Sequence, residues 1–168
     1  MTQIVEVMTR ELVAVSPGTV VADAERLASE RGIRHLLVVA RRERLVGVVC
    51  VCDLRRAPAG ARVRGYMAAR PHCVDGATPL EEAADILGRR AIGCLPVLAG
   101  RRVVGIVTGR DVERAGLPRH RWSSRICASC GGHHDVRSDP RTGPVWFCLE
   151  CLDRSMPPDD LDELGEGD

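Results

Sequence analysis

The chain has 168 residues, 45% of them hydrophobic and 28% charged, a composition typical of a folded globular protein that excludes a disordered one. Its 24 basic residues, all arginine, nearly balance 23 acidic ones, so a net charge of +1 draws the whole protein to neither nucleic acid nor membrane. The N-terminus lacks a signal-peptide layout, and no run approaches the roughly 18 apolar residues that span a bilayer. We therefore expect a cytoplasmic protein without membrane contact, whose cysteines are reduced or metal-bound.

In chain order, residues 1–60 predict a short strand at 12–15, an amphipathic helix, two longer strands and a short helix. A turn signal precedes the first helix, and Gly32 ends that helix as a C-terminal cap. The runs 35–39 and 45–49 are apolar without alternation, which is typical of strands covered on both faces.

Residues 61–116 repeat this order of elements. The two copies keep an offset of 59 positions as far as the polar turn and of 58 after it. A strand is predicted at 72–74, and Pro79 is expected in the first turn of the second long helix. In both copies a glycine lies six residues before an aspartate, at the end of a strand that turns into a helix. The first two thirds of the chain are therefore one unit built twice.

This duplicated β-α-β-β-α unit resembles a tandem pair of CBS domains over residues 5–116. The resemblance lies in Met8 and Met67 at the two starts, the Leu-Pro-Val tripeptide at 95–97 and the paired glycine-to-aspartate strand ends. It implies an α/β (α+β) fold with repeats at 1–60 and 61–116, related by a pseudo-twofold axis. Because such pairs often dimerise into a disc, it also implies a homodimer.

The strand end that contains Gly105, Thr108 and Asp111 carries the main candidate site. As plain structure, Thr108 and Asp111 cap a helix. As a site, the free N–H groups of a helix start attract a phosphate, while a carboxylate accepts from ribose hydroxyls. In the CBS family this Gly-x-x-Ser/Thr-x-x-Asp pattern resembles an adenosine-nucleotide signature, and we keep both interpretations open.

Family geometry implies that each cleft combines one repeat's signature with the other repeat's strand entry. Thr108 and Asp111 would then face Ile33 and Arg34, with Arg34 as a phosphate counter-charge or simply an exposed edge charge. The adenine side would be lined by two apolar side chains, Ile106 and Val13.

The pseudo-symmetric cleft would use four residues: Cys50, Asp53, Ile92 and Gly93. Here Cys50 replaces the serine or threonine of the signature, and a thiol is a weaker hydrogen-bond donor than a hydroxyl. We therefore predict unequal sites, with the Thr108 cleft binding more tightly.

A basic linker is predicted at 117–126 and an acidic mobile tail at 156–168. Between them, at 127–155, two C-x-x-C pairs are separated by 17 residues, a zinc-site spacing. The ligands would be Cys127, Cys130, Cys148 and Cys151. The stretch resembles a zinc ribbon or a rubredoxin-like ribbon; the pairs lack the proline usual in iron-binding rubredoxins, so zinc is favoured and iron stays open.

No catalytic constellation is apparent, so we expect a binding protein and not an enzyme. The favoured interpretation is a sensor that binds AMP, ADP, ATP or a related adenosine compound and signals through the ribbon to a partner. One alternative is a nucleic-acid or transcription-machinery binding protein, because arginines and tryptophans are interleaved around the ribbon. Others are electron transfer through a bound iron and a purely structural or dimerisation role for the ribbon.

Overall fold

The computed structural model describes residues 1–41 and 44–117, together with two strands further along the chain. The helices are α1 (Ile4–Val7), α2 (Val21–Glu30), α3 (Val51–Arg55), α4 (Leu80–Arg90) and α5 (Gly109–Arg114). The strands are β1 (Ala14–Val15), β2 (His35–Ala40), β3 (Arg44–Cys50), β4 (Ala68–Ala69), β5 (Val74–Asp75), β6 (Cys94–Ala99), β7 (Arg102–Thr108), β8 (Val136–Ser138) and β9 (Trp146–Cys148).

Two sheets of the same design hold the duplicated part together. One has the order β1-β2-β3-β4 and the other β5-β6-β7. In each, a short first strand runs parallel to the second, and a long antiparallel hairpin follows. The hairpin register shifts between Val38 and Val39 in one copy and between Val97 and Leu98 in the other, which are equivalent positions. The predicted repeat is therefore confirmed at the level of strand register.

Helices cover one face of each sheet, and the two sheets also meet. The first core contains buried residues of α2, β2, β3 and α3, and the second contains buried residues of α4, β6, β7 and α5. A third apolar cluster joins strands of both sheets through Leu37, Val48, Cys94 and Ile106. Burial on both faces explains why these strands read as continuous apolar runs.

The leading segment of the chain packs into the second half of the fold. Ile4 and Met8 belong to the second core, and the Ile4 amide donates to the Thr78 carbonyl at 3.0 Å. Met8 lies directly against Gly105, where a Cβ would come within 2.9 Å of the Met8 Cγ. Gly105 is therefore required for this close approach, which the sequence pattern did not predict.

The segment that opens the second repeat is exchanged in the same way. Met67 packs against the first core, and β4 pairs with β3 of the first sheet. A Cβ on Gly47 would lie 2.7 Å from the Met67 Sδ and 3.0 Å from the Ala68 carbonyl oxygen. Each repeat thus lends its opening methionine to the other, and the two halves interlock.

The helix ends and strand bounds agree with the sequence predictions in part. Gly32 has φ +61° after α2, which confirms the predicted C-terminal cap. The equivalent position after α4 is Ala91, which adopts the left-handed conformation at φ 50°. The placement of Pro79 was wrong: with ψ 142° it is the N-cap of α4 and not part of its first turn. The first strand of each sheet is also shorter than predicted, with two residues each.

Candidate functional site

The helix start at the end of β7 is organised by a buried carboxylate. Thr108 is extended (φ −128°, ψ 170°), and α5 begins at the next residue. The Asp111 Oδ2 accepts from the Thr108 amide and from the Thr108 Oγ1, both at 2.8 Å. Asp111 is only 3% exposed, while Thr108 is half-buried. The predicted cap is confirmed.

A third donor reaches Asp111 from the far end of the chain. Thr9 pairs through its backbone with Ile106 of β7, with two N–H···O bonds of 2.9 Å. Its Oγ1 donates to the Asp111 Oδ1 at 3.3 Å. The Arg114 guanidinium lies 3.7 Å from the same oxygen but remains largely exposed. Both carboxylate oxygens are thus engaged, with the longer contacts all on Oδ1.

Sequence reasoning missed Thr9, although a signal was present. Thr9 follows the repeat-opening Met8 by one residue, and the same offset of 59 leads to Ala68. Ala68 pairs with Val48 as Thr9 pairs with Ile106, but it has no hydroxyl. Comparing the two copies at this position would have marked Thr9 as special to one site.

Three of the remaining predicted residues of this cleft, Val13, Ile33 and Arg34, lie at the entry of the first sheet, whereas Ile106 lies on β7 of the second. Val13 and Ile33 pack against the first core, and Ile106 lies in the cluster between the sheets. The Arg34 carbonyl accepts from the Val51 amide at 2.8 Å. Within the described residues the Arg34 guanidinium makes no hydrogen bond or ion pair, so this half-buried cation is unneutralised there. Ile106, Thr108 and Asp111 thus lie together on β7 and α5. Arg34 forms no hydrogen bond with Asp111.

At the second helix start, where β3 turns into α3, a cysteine occupies the position that Thr108 has at the first. Cys50 is the N-cap of α3, and its Sγ accepts from the Cys52 amide at 3.4 Å. A hydrogen bond with the Cys52 side chain, followed by burial, raises the pKa of the Cys50 thiol, so it stays protonated. Asp53 is half-buried in the first turn. A weak donor therefore stands where the other site has a hydroxyl.

Ile92 and Gly93 connect α4 to β6 on the second repeat. Ile92 packs against the second core, and its amide donates to the Leu87 carbonyl at 3.2 Å, which closes the end of α4. Both residues are half-buried. They occupy the positions equivalent to Ile33 and Arg34, so this strand entry offers no cation where the other has Arg34.

The predicted ribbon is described only in its hairpin. β8 and β9 pair antiparallel, with Val136 opposite Cys148 and Ser138 opposite Trp146. Cys148 is the last residue of β9. The other expected ligands lie outside the described residues: Cys127, Cys130 and Cys151. Among the residues that are described, no group of three or more His, Cys, Asp or Glu could hold a metal ion.

In the described part of the chain, no helix has both the length and the apolar character needed to cross a bilayer. The predicted linker at 117–126 and the tail at 156–168 lie outside that part, apart from residue 117.

The family of the protein follows from two matches to one family model. The CBS domain model matches residues 4–60 and again residues 63–117. Together these cover more than half of the 168 residues. The chain therefore belongs to the CBS domain family, and its interlocked sheets are those of a CBS pair.

Solved structures and curated relatives agree with this assignment. The chain is similar to CBSX2 of Arabidopsis thaliana, solved in complex with AMP: identity is 31%, the match covers 68% of this chain and 96% of that one, and the TM-score is 0.62. The CBS domain pair of protein MJ0100, solved with 5′-methylthioadenosine and S-adenosyl-L-methionine, shares the fold at 23% identity, 68% and 95% coverage and a TM-score of 0.65.

An enzyme also appears among the relatives, through a part of its chain. The homoserine O-acetyltransferase of Methanohalobium evestigatum is 29% identical over 121 residues, which are 67% of this chain and 24% of that enzyme. The chain thus spans about a quarter of the length of this relative. The similarity is to its CBS domains and carries no information on acetyl transfer.

Proposed function

We propose that this protein is a non-enzymatic regulatory CBS pair that binds an adenine nucleotide between its repeats, mainly at the Thr108–Asp111 helix start. The observation that carries the proposal is the buried Asp111 carboxylate, which organises the helix start and accepts from the hydroxyl of the half-buried Thr108. A related CBS pair, CBSX2, was solved with AMP, which supports this ligand class.

The contacts at Asp111 indicate which atom would receive the ribose. Oδ2 holds two bonds of 2.8 Å, whereas the Oδ1 partners, Thr9 and Arg114, are at 3.3 and 3.7 Å. Exchanging a long, partly exposed contact for a ribose hydroxyl costs less than breaking the cap. We therefore place the ribose on Oδ1, and the phosphate on the amides of the helix start.

Arg34 would supply the opposing charge. The residue is half-buried, and its guanidinium has no partner among the described residues. An arginine fork matches phosphate oxygens well. Val13, Ile33 and Ile106 would enclose the adenine. In the other cleft Cys50, Asp53, Ile92 and Gly93 offer a weaker donor and no cation, so we propose weaker binding there.

Signalling would follow from unequal affinity for two arrangements of the pair. The apolar cluster between the sheets is the surface across which the repeats would tilt. A ligand shifts that equilibrium only by its difference in affinity for the two arrangements. The homodimer expected of such pairs would then convert a change of angle into a change of packing.

Calorimetric titration with AMP tests the nucleotide proposal. Asp111→Ala is expected to weaken binding by about tenfold or more, which corresponds to ~1.4 kcal/mol or more. The matched variant at the equivalent position, Asp53→Ala, is expected to change the main affinity by less than about threefold. Circular dichroism of both variants controls for folding. Equal losses, or no AMP binding to the wild-type protein, would refute the proposal.

We also propose that Cys127, Cys130, Cys148 and Cys151 hold a zinc ion. Two knuckle pairs around a short hairpin match a four-thiolate ribbon, and Cys148 ends β9 of such a hairpin. A bound zinc would supply folding energy to a segment too small for its own core. Its role here would be structural, presenting the hairpin to a protein partner or to a second copy.

Native mass spectrometry of the full chain tests the metal, the nucleotide and the dimer in one measurement. One zinc per chain, lost with a strong chelator and absent in Cys148→Ser, is expected. A coloured protein with iron would favour electron transfer. DNA or RNA binding with a steep salt dependence would favour the nucleic-acid role instead.

A further inference from the structure

Two thiols lie side by side where β3 turns into α3, and the proposed nucleotide site does not use the second one. The Cys50 Sγ accepts from the Cys52 amide at 3.4 Å, and the two side chains share a hydrogen bond. Cys50 is 5% exposed, while Cys52 is half-buried. Neither forms a disulfide in this structure.

The backbone places these residues within bridging distance. Two residues span at most about 7 Å when fully extended. Cys50 is extended (φ −89°, ψ 144°) but the helix starts at Val51, so the chain bends between the two cysteines and shortens that span. A disulfide needs Cα atoms roughly 4.4–6.8 Å apart, and ideal helical geometry at the intervening Val51 corresponds to a spacing of about 5–6 Å.

The two thiols differ in how readily a solute can reach them. Cys52 is the more exposed of the two residues. A hydrogen bond with Cys52 and burial both raise the pKa of Cys50, so its sulfur stays a thiol. An oxidant therefore meets Cys52 first, and Cys50 stands beside the product. By contrast, Cys94 is buried, and burial raises its pKa to about 12.

We propose that Cys50 and Cys52 form a redox modification site, where a hydroperoxide converts the two thiols to an intramolecular disulfide. The Cys52 sulfur attacks the outer peroxide oxygen; the O–O bond breaks, and a sulfenic acid and an alcohol (water, from hydrogen peroxide) result. The Cys50 sulfur then attacks the Cys52 sulfur, the S–O bond breaks, and water leaves with the Cys50 proton. The peroxide is reduced by two electrons, and the two sulfurs are oxidised.

The bridge would also remake the helix start. The Cys50 sulfur would no longer be a free thiol cap for the Cys52 amide, and the N-cap would be tied covalently to the first turn of α3. The equivalent site at Thr108 has no thiol, so oxidation would act on one repeat only.

Peptide mapping of the full-length protein tests this site directly. Trypsin cuts after Arg44 and Arg55, so one peptide carries both cysteines and no other. After hydrogen peroxide treatment and trapping with N-ethylmaleimide, we expect this peptide to lose two hydrogens and both labels. Dithiothreitol before trapping should restore both labels. The peptide that carries Cys94, between Arg90 and Arg101, is the internal control and should stay reduced at the same dose.

Two single variants test the order of attack. In Cys50→Ser, Cys52 should stop at sulfenic acid or oxidise further. In Cys52→Ser, Cys50 should remain fully alkylated after denaturation. Circular dichroism checks that both variants fold. The proposal is overturned if the wild-type peptide keeps both labels, if it gains oxygen without forming the bridge, or if Cys94 oxidises at the same rate.

Discussion

The residues that follow the two long helices are Gly32 and Ala91. Replacing each by the residue of the other copy, in two single variants, should change the free energy of unfolding in opposite directions. Gly32 and Ala91 occupy equivalent positions, and both have positive φ, at 61° and 50°. The next residue in each copy closes the helix, with Ile33 donating to Ala28 at 3.0 Å and Ile92 to the equivalent carbonyl at 3.2 Å. The two caps therefore share one geometry, but only one has the residue that this geometry favours.

The size of the effect follows from the backbone alone. A left-handed conformation costs a residue with a Cβ about 1–2 kcal/mol, and glycine gives back about 0.4–1 kcal/mol through its freer unfolded chain. Ala91→Gly should thus stabilise the fold by roughly 0.5–1 kcal/mol, or a few degrees in Tm. Gly32→Ala should cost a similar amount. A Cβ on Gly32 meets no atom within 4 Å, so no clash adds to its cost.

Urea unfolding of the two single variants and of the double exchange measures this directly. The single variants should shift the midpoint in opposite directions without changing the slope. The double exchange should return close to the wild-type value, because the sites lie in different repeats and should add. If Ala91→Gly destabilises the protein, the left-handed conformation at Ala91 is not a source of strain.

Two more changes probe the contacts around the main site. Gly105→Ala should destabilise the fold by about 1–3 kcal/mol, because its Cβ would meet Met8 in a closed core; urea melts on a Met8→Ala background should show a smaller cost, and an equal cost would contradict the packing argument. Thr9→Val keeps the shape of the side chain but removes the 3.3 Å donor to Asp111; we expect a loss of about 1 kcal/mol in thermal unfolding, whereas an unchanged midpoint would mean that the bond is not formed in solution.

The sequence predicted what depends on neighbours along the chain. Long apolar runs located the strands β2, β3, β6 and β7, and helical spacing located α2 and α4, because both signals lie within the element itself. The spacing from Gly105 to Asp111 likewise located one helix start. Each of these patterns extends over only a few neighbouring residues, so a single sequence is enough to recognise it.

Contacts between distant segments escaped the same reasoning. Nothing local in Met8 says that it packs on Gly105, and the Thr9–Asp111 bond joins positions 102 residues apart. Both depend on the packing of the leading segment against the second half of the fold, which is set by the tertiary arrangement and not by neighbouring residues. The thiol contact at Cys50 was missed for another reason: Cys50 was considered only as a replacement for the signature hydroxyl, and its nearness to Cys52 in the first turn of α3 was not considered.

The exchanged opening segments have a consequence for how the protein can be divided. A cut between residues 60 and 61 would leave the first sheet without β4 and the second half without the Thr9 pairing beside β7. Each piece would expose an unpaired strand edge and the apolar surface on which the other repeat's methionine packs. Such an edge favours association with other chains. We infer that gene fragments that encode a single repeat would yield aggregates, and that the pair melts as one cooperative body.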